Sequence, residues 1–171
     1  MASGEPILLI DAFSAPGAAA DQAVPDIIAG ASSPAEAVPV YKFLDAVINY
    51  LDVYFTLAPT YTAAADVLVG LYWSAAVASG NGRWGASIRA IPDDAEDLDT
   101  TAFTYNYITT DDAAPTSIGE VAYLVLTLTG SALDGIAAGE RGILRIRREA
   151  NHANDTLGAV AFLHGVSGKQ A

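Results

Sequence analysis

Apolar and polar positions alternate with a period of two along several stretches of this chain, and the clearest runs from Arg83 to Ile91. Trp84, Ala86, Ile88 and Ala90 alternate there with Arg83, Gly85, Ser87 and Arg89, which puts the apolar set on one sheet face and both arginines on the other. The pattern predicts a half-buried antiparallel strand. Upstream, Asp66-Val-Leu-Val-Gly-Leu-Tyr-Trp-Ser is a second strand, and Asn81-Gly82 suits the positive φ angles of a tight connection. The two runs are therefore expected to pair, with Ala75 to Ser79 lengthening the loop between them.

Short apolar runs separated by turn residues continue after Pro39, a spacing that predicts an all-β sandwich. Eight strands are expected, near 40–45, 50–57, 66–75, 83–91, 102–109, 118–129, 142–148 and 157–166. Three inward sets can be read: Leu51, Val53, Phe55 and Leu57; Ala122, Leu124, Leu126 and Leu128; Leu144 and Ile146. Phe43, Val47 and Leu51 also recur at helical spacing, so a short helix competes with strand between 40 and 51. Eight antiparallel strands close most economically as two packed sheets of jelly-roll type, which also protects their edges.

The segment 15–39 reads differently. Ala, Gly, Ser and four prolines (16, 25, 34 and 39) resist both helix and central strand, so residues 1–39 are expected to form an extended N-terminal arm and residues 40–171 the sandwich. An arm of this composition is ordered only by docking on its own domain, a neighbouring copy or a larger shell.

Composition narrows the function. The 171 residues fit one domain, and 52% hydrophobic residues supply a sizeable core. Eight Lys and Arg against twenty Asp and Glu give a net charge of -12, which repels nucleic acid and anionic membranes. Without cysteine there are no disulfides or thiolate metal sites. No window is apolar over the length of a transmembrane helix, and no export signal is visible at the N-terminus.

Catalytic motifs are missing from the pattern: no phosphate loop, HExxH or GxSxG occurs, and His152 and His164 lack partners set by local spacing. Neither catalysis nor a cofactor is expected. The acidic run Asp93-Asp-Ala-Glu-Asp-Leu-Asp99 offers oxygen ligands for Ca²⁺. Its spacing does not fit an EF-hand, however, because Leu98 holds the glycine position and Thr104 the final ligand position, so a solvated loop is the expectation.

Arg141, Arg145, Arg147 and Arg148 are four of the eight basic residues, all close to one strand. Arg145 and Arg147 lie opposite Leu144 and Ile146, whereas Arg148 falls on the inward side by parity. Arg83, Arg89, Arg145 and Arg147 are thus candidate contacts to an acidic surface of another subunit, with a solvated face paired to local acids as the plainer reading. Phe103, Tyr105 and Tyr107 share one face and suit a core or a subunit interface, with Tyr105 and Tyr107 the interface candidates. They, or Tyr50 and Tyr54, would also serve as a glycan platform.

From residue 50 to 166 the order of elements resembles a family of small β-sandwich virion proteins of tailed bacteriophages. The matching landmarks are Tyr54-Phe-Thr-Leu-Ala-Pro-Thr-Tyr61, Val69-Gly-Leu-Tyr-Trp73, Gly82-Arg-Trp84 and Asp111-Asp-Ala-Ala-Pro115. Leu126-Thr-Leu-Thr-Gly-Ser-Ala-Leu133, Arg145-Ile-Arg-Arg-Glu through Asn154-Asp-Thr-Leu157, and Phe162-Leu-His-Gly-Val166 complete them. The resemblance implies a non-enzymatic jelly-roll subunit, commonly trimeric, on the virion exterior as a capsid decoration or head-spike protein, made in the host cytoplasm. Residues 1–39 would then hold it to capsid or other virion proteins. A carbohydrate-binding or host-receptor-binding sandwich of a tail fibre is the alternative.

Overall fold

The computed structural model describes residues 6–13, 21–31, 33–93, 98 and 102–171. Among these, ten strands are present: β1 (Leu8–Phe13), β2 (Val24–Ala29), β3 (Ala37–Phe43), β4 (Ile48–Leu57), β5 (Val67–Ala75), β6 (Asn81–Ile91), β7 (Ile108–Ala113), β8 (Ala122–Leu128), β9 (Arg141–Glu149) and β10 (Ala161–Gln170). A 3₁₀ turn at Gly130–Leu133 is the one helical element among the described residues. Among the described residues no helix is long and apolar enough to cross a membrane.

The strands form two five-stranded sheets, β1-β4-β9-β6-β7 and β2-β3-β10-β5-β8, and all named strand pairs are antiparallel. Every connection except β2–β3 and β6–β7 passes from one sheet to the other, so the chain wraps the core as a jelly roll does. The all-β sandwich expected from the alternation is present, and the helix considered between 40 and 51 is absent: β3 and β4 occupy that stretch.

The predicted inward sets meet between the sheets. Leu51, Val53, Phe55 and Leu57 of β4, Trp84, Ala86 and Ile88 of β6, and Leu144 and Ile146 of β9 are all buried. Opposite them stand Val67, Val69, Leu71 and Trp73 of β5 with Leu124, Leu126 and Leu128 of β8. Trp73 and Trp84 contact each other with ring centroids 5.5 Å apart, and Phe43 meets Trp84 edge-on at 5.1 Å.

That tryptophan contact corrects the expected hairpin. β5 and β6 do not pair; they belong to different sheets, and residues 76–80 carry the chain across the sandwich so that the two indoles face each other through the core. The left-handed residue of this connection is Gly80, at φ 92°, rather than Asn81 or Gly82, which already pair with Ala113 and Asp112 in β6. A side chain at Gly80 would sit 2.4 Å from the Thr156 carbonyl oxygen, so only glycine fits there.

The arm is corrected as well. β1 pairs with β4, and β2 pairs with β3 from Val24↔Lys42 to Ala29↔Ala37, so the described parts of residues 1–39 complete the edges of both sheets. Ile7, Leu8 and Ala23 are buried in the same core. Proline is compatible with β2 because an edge strand has one side free of ladder bonds. The expected strand 102–109 also moves: residues 102–107 are extended without a ladder, and β7 begins at Ile108.

Candidate functional site

Parity places Asp52 of β4, Arg145 and Arg147 of β9, and Arg83 and Arg89 of β6 on the outer face of the first sheet. The extended segment 102–107 runs over this face with Phe103, Tyr105 and Tyr107 half-buried and Ala102, Thr104 and Asn106 exposed. The three rings form a continuous row, with centroids 4.8 Å apart between Phe103 and Tyr105 and 5.8 Å between Tyr105 and Tyr107. Each ring covers a guanidinium: Phe103 over Arg89 at 5.0 Å, Tyr105 over Arg145 at 4.2 Å and Tyr107 over Arg147 at 3.5 Å. Tyr50 lies 4.0 Å from Arg145 as well, so that guanidinium has two aromatic neighbours.

Carboxylates hold these cations from the sheet side. Arg145 donates to both oxygens of Asp52 at 2.6 and 2.7 Å, a bidentate pair whose carboxylate is buried. Arg83 donates to Glu149 and Asp111 at 2.7 Å each and to the Thr109 hydroxyl at 2.8 Å, and Arg147 also donates to Glu149. Burial pulls the Arg145 pKa down, but the hydrogen bonds and charge of Asp52 outweigh it and leave the guanidinium above its usual range. Burial, reinforced by Asp52, pushes the Tyr105 phenol well up, and burial raises Tyr107.

All six candidate interface residues, Arg83, Arg89, Arg145, Arg147, Tyr105 and Tyr107, therefore gather on one face. That face is covered by the chain's own segment, which corrects the expectation of an outward arginine stripe open to another subunit. Phe103, Tyr105 and Tyr107 point at arginines rather than at solvent, so they do not offer a glycan platform in this arrangement.

The aromatic surface that does face solvent is on the other sheet. Tyr72 of β5 pairs directly with Tyr123 of β8; the two are 43% and 49% exposed, with ring centroids 4.7 Å apart and planes tilted by 36°. Glycine makes room beneath them. A Cβ at Gly70 would lie 2.4 Å from the Tyr123 hydroxyl and 2.6 Å from the Ser167 hydroxyl, so the Tyr123 ring lies across the sheet over that position. Gly165 is the ladder partner of Tyr72. The outward positions of β10, β5 and β8 around the pair include Ser167, Val125 and Thr127, with Lys169 their only charge. Both tyrosines were available to parity: Tyr72 alternates with Leu71 and Trp73, and Tyr123 with Ala122 and Leu124.

Ser74 and His164 form the one serine–histidine contact among the described hydrogen bonds, with Oγ and Nε2 2.8 Å apart. Ser74 is 1% exposed, so its hydroxyl is shielded from any acyl donor. His152 is exposed and its Nδ1 accepts from the Asn154 amide. Of the acidic run 93–99, only Asp93 and Leu98 fall within the described residues. No group of three or more acidic or histidine side chains that could hold a metal occurs among the described residues.

No protein-family model and no curated protein matches the chain. Among solved structures it is similar to the CBM22-1 xylan-binding domain of Paenibacillus barcinonensis Xyn10C, at 9% identity and TM-score 0.47, covering 92% of this chain and 85% of that one. It is also similar to part of an exo-β-1,3-galactanase from Phanerochaete chrysosporium, at 13% identity and TM-score 0.44; 85% of this chain aligns, spanning about a quarter (26%) of the galactanase. A third is tailspike protein 4 of bacteriophage CBA120, at 10% identity and TM-score 0.37, with 86% of this chain and 18% of that chain covered.

Proposed function

We propose that this chain is a non-catalytic carbohydrate-binding β-sandwich in which Tyr72 and Tyr123 form the platform for sugar rings. The observation that carries the reading is the exposure of this directly paired tyrosine couple among the described residues. A pyranose presents C–H groups on its faces, and these stack on the negative face of an aromatic ring while hydroxyls at the ring edge find polar partners. Here the phenol hydroxyls, Ser167 and Thr127 supply such partners.

Affinity electrophoresis through gels containing neutral and acidic polysaccharides tests this. Retardation by at least one polysaccharide is expected, with Tyr72→Ala and Tyr123→Ala each weakening binding roughly tenfold, the worth of an aromatic contact of about 1.5 kcal/mol. Migration unaffected by every polysaccharide, or retardation that both variants retain, would overturn the reading.

A structural subunit of a phage particle, the role implied by the sequence resemblance, is the second reading. It is favoured by Ile118, Val121 and Val125, which are 68%, 51% and 40% exposed on and just before the edge strand β8. Exposed apolar side chains close together in the chain suit burial between copies of one subunit. Mass measurement in solution separates the two: a trimer that Val125→Lys dissociates supports assembly through β8, and a monomer opposes it.

A further inference from the structure

The second sheet opens into a pocket of about 530 Å³ between β2, β3 and β10. Two sequence features create it. β3 pairs with β10 only from Phe43↔Ala161 to Tyr41↔Leu163, and Pro39, two residues beyond Tyr41, has no N–H with which to extend a ladder. On the other side, the register of β10 against β5 slips between Leu163 and Gly165, which makes His164 the extra residue of a bulge. β2 stays paired to β3 as far as Ala29↔Ala37, so the β2–β3 ribbon parts from β10 as a unit and leaves a cleft.

We propose that this cleft binds a small uncharged ligand with an apolar ring body and a hydroxyl at one end. Its volume lies within the range of small-molecule pockets. Pro25, Ile27, Pro39 and Leu163 give it apolar walls that suit a ring body and offer a sugar few hydrogen bonds. His164 and Tyr41 supply the polar groups. The Ser74 hydroxyl fixes the His164 ring through Nε2 and leaves Nδ1 as the second hydrogen-bonding atom of a residue that lines the pocket. Burial holds this histidine below its ordinary pKa, so it meets a ligand as neutral imidazole. Asp26, the carboxylate in the lining, already accepts from Lys42 at 3.0 Å and from the Ile27 N–H at 2.9 Å, so the cleft requires no cationic ligand. The inference is independent of the carbohydrate platform, since it uses different residues.

Calorimetric titration of the full chain with 2-naphthol, with naphthalene as the comparator lacking the hydroxyl, tests it. Saturable one-site binding of 2-naphthol is expected, tighter than that of naphthalene. Ile27 is 64% exposed, so Ile27→Trp has room to fold and fill the cleft, and it should weaken 2-naphthol at least about tenfold. His164→Leu should weaken 2-naphthol about two- to tenfold, the range of one hydrogen bond, and leave naphthalene unchanged. If circular dichroism shows the tryptophan variant unfolded, Ile27→Ser replaces it with the same expected direction. Absent saturation, binding undiminished at residue 27, or equal affinity for the two probes would each overturn the proposal.

Discussion

Arg148 shows what strand parity does to a charged residue. It lies on the inward side of β9 beside Ile146, and its side chain is 0% exposed. Its guanidinium survives there because Asp155 accepts from Nε at 2.9 Å and from Nη2 at 2.8 Å, while the Ala159 carbonyl accepts from Nη1 at 2.6 Å. Asp155 in turn holds the Arg83 backbone N–H, tying the loop after β9 to the start of β6. Asp155→Ala should destabilise the fold by about 3–5 kcal/mol, because it leaves a buried cation without its partner. The double replacement Arg148→Met with Asp155→Leu should recover most of that loss in a denaturant titration, and a double variant as unstable as the single one would contradict the account. The inward placement of Arg148 was legible from parity. Asp155 as its partner was not, because the pairing depends on how the loop 150–160 folds back, and no periodicity encodes that.

At the scale of the element, the segment 102–107 behaves as an eleventh strand without a backbone ladder. It alternates like a strand, but its inward side chains bind arginine rather than aliphatic core, and cation–π contacts take the place of a ladder. Tyr105→Ala should lower stability by about 1–2 kcal/mol, whereas Tyr105→Phe, which keeps the ring over Arg145, should come close to the parent in thermal unfolding. Equal losses in the two variants would assign the contribution to the hydroxyl instead. Both alternations, rings in one run and arginines in the others, could be read from the residues; their meeting could not, since the intervening stretch decides where the chain returns. The displaced start of β7 has a similar cause. Asp111 and Asp112 resemble loop residues, but Arg83 and the Trp73 indole N–H bind them at 2.7 Å each and make them strand residues.

Across the whole molecule, the expectation most revised concerns residues 1–39. Composition marked them as an arm, since alanine, glycine and proline give weak strand signals. Edge strands tolerate that composition, because they need only one ladder and a few buried side chains. Deleting residues 1–39 should therefore leave an unfolded or aggregating chain rather than a stable sandwich, because β4 loses its neighbour β1 and β3 loses β2 along with its own first residues. A cooperative thermal transition in the truncated chain would show that the remaining strands suffice.

The order of strands also sets a timetable. β9 is the middle strand of one sheet and β10 the middle strand of the other, and both follow all eight other strands in the chain. As the chain leaves a ribosome, the eight earlier strands can form only isolated two-stranded ribbons, β1 with β4, β2 with β3, β5 with β8 and β6 with β7, and such ribbons are marginal in water. Neither sheet joins its halves until residues 141–170 have emerged. A nascent chain stalled before residue 141 would thus carry exposed strand edges from both sheets at once, and it would depend on holding factors in the cell in a way that the finished protein does not.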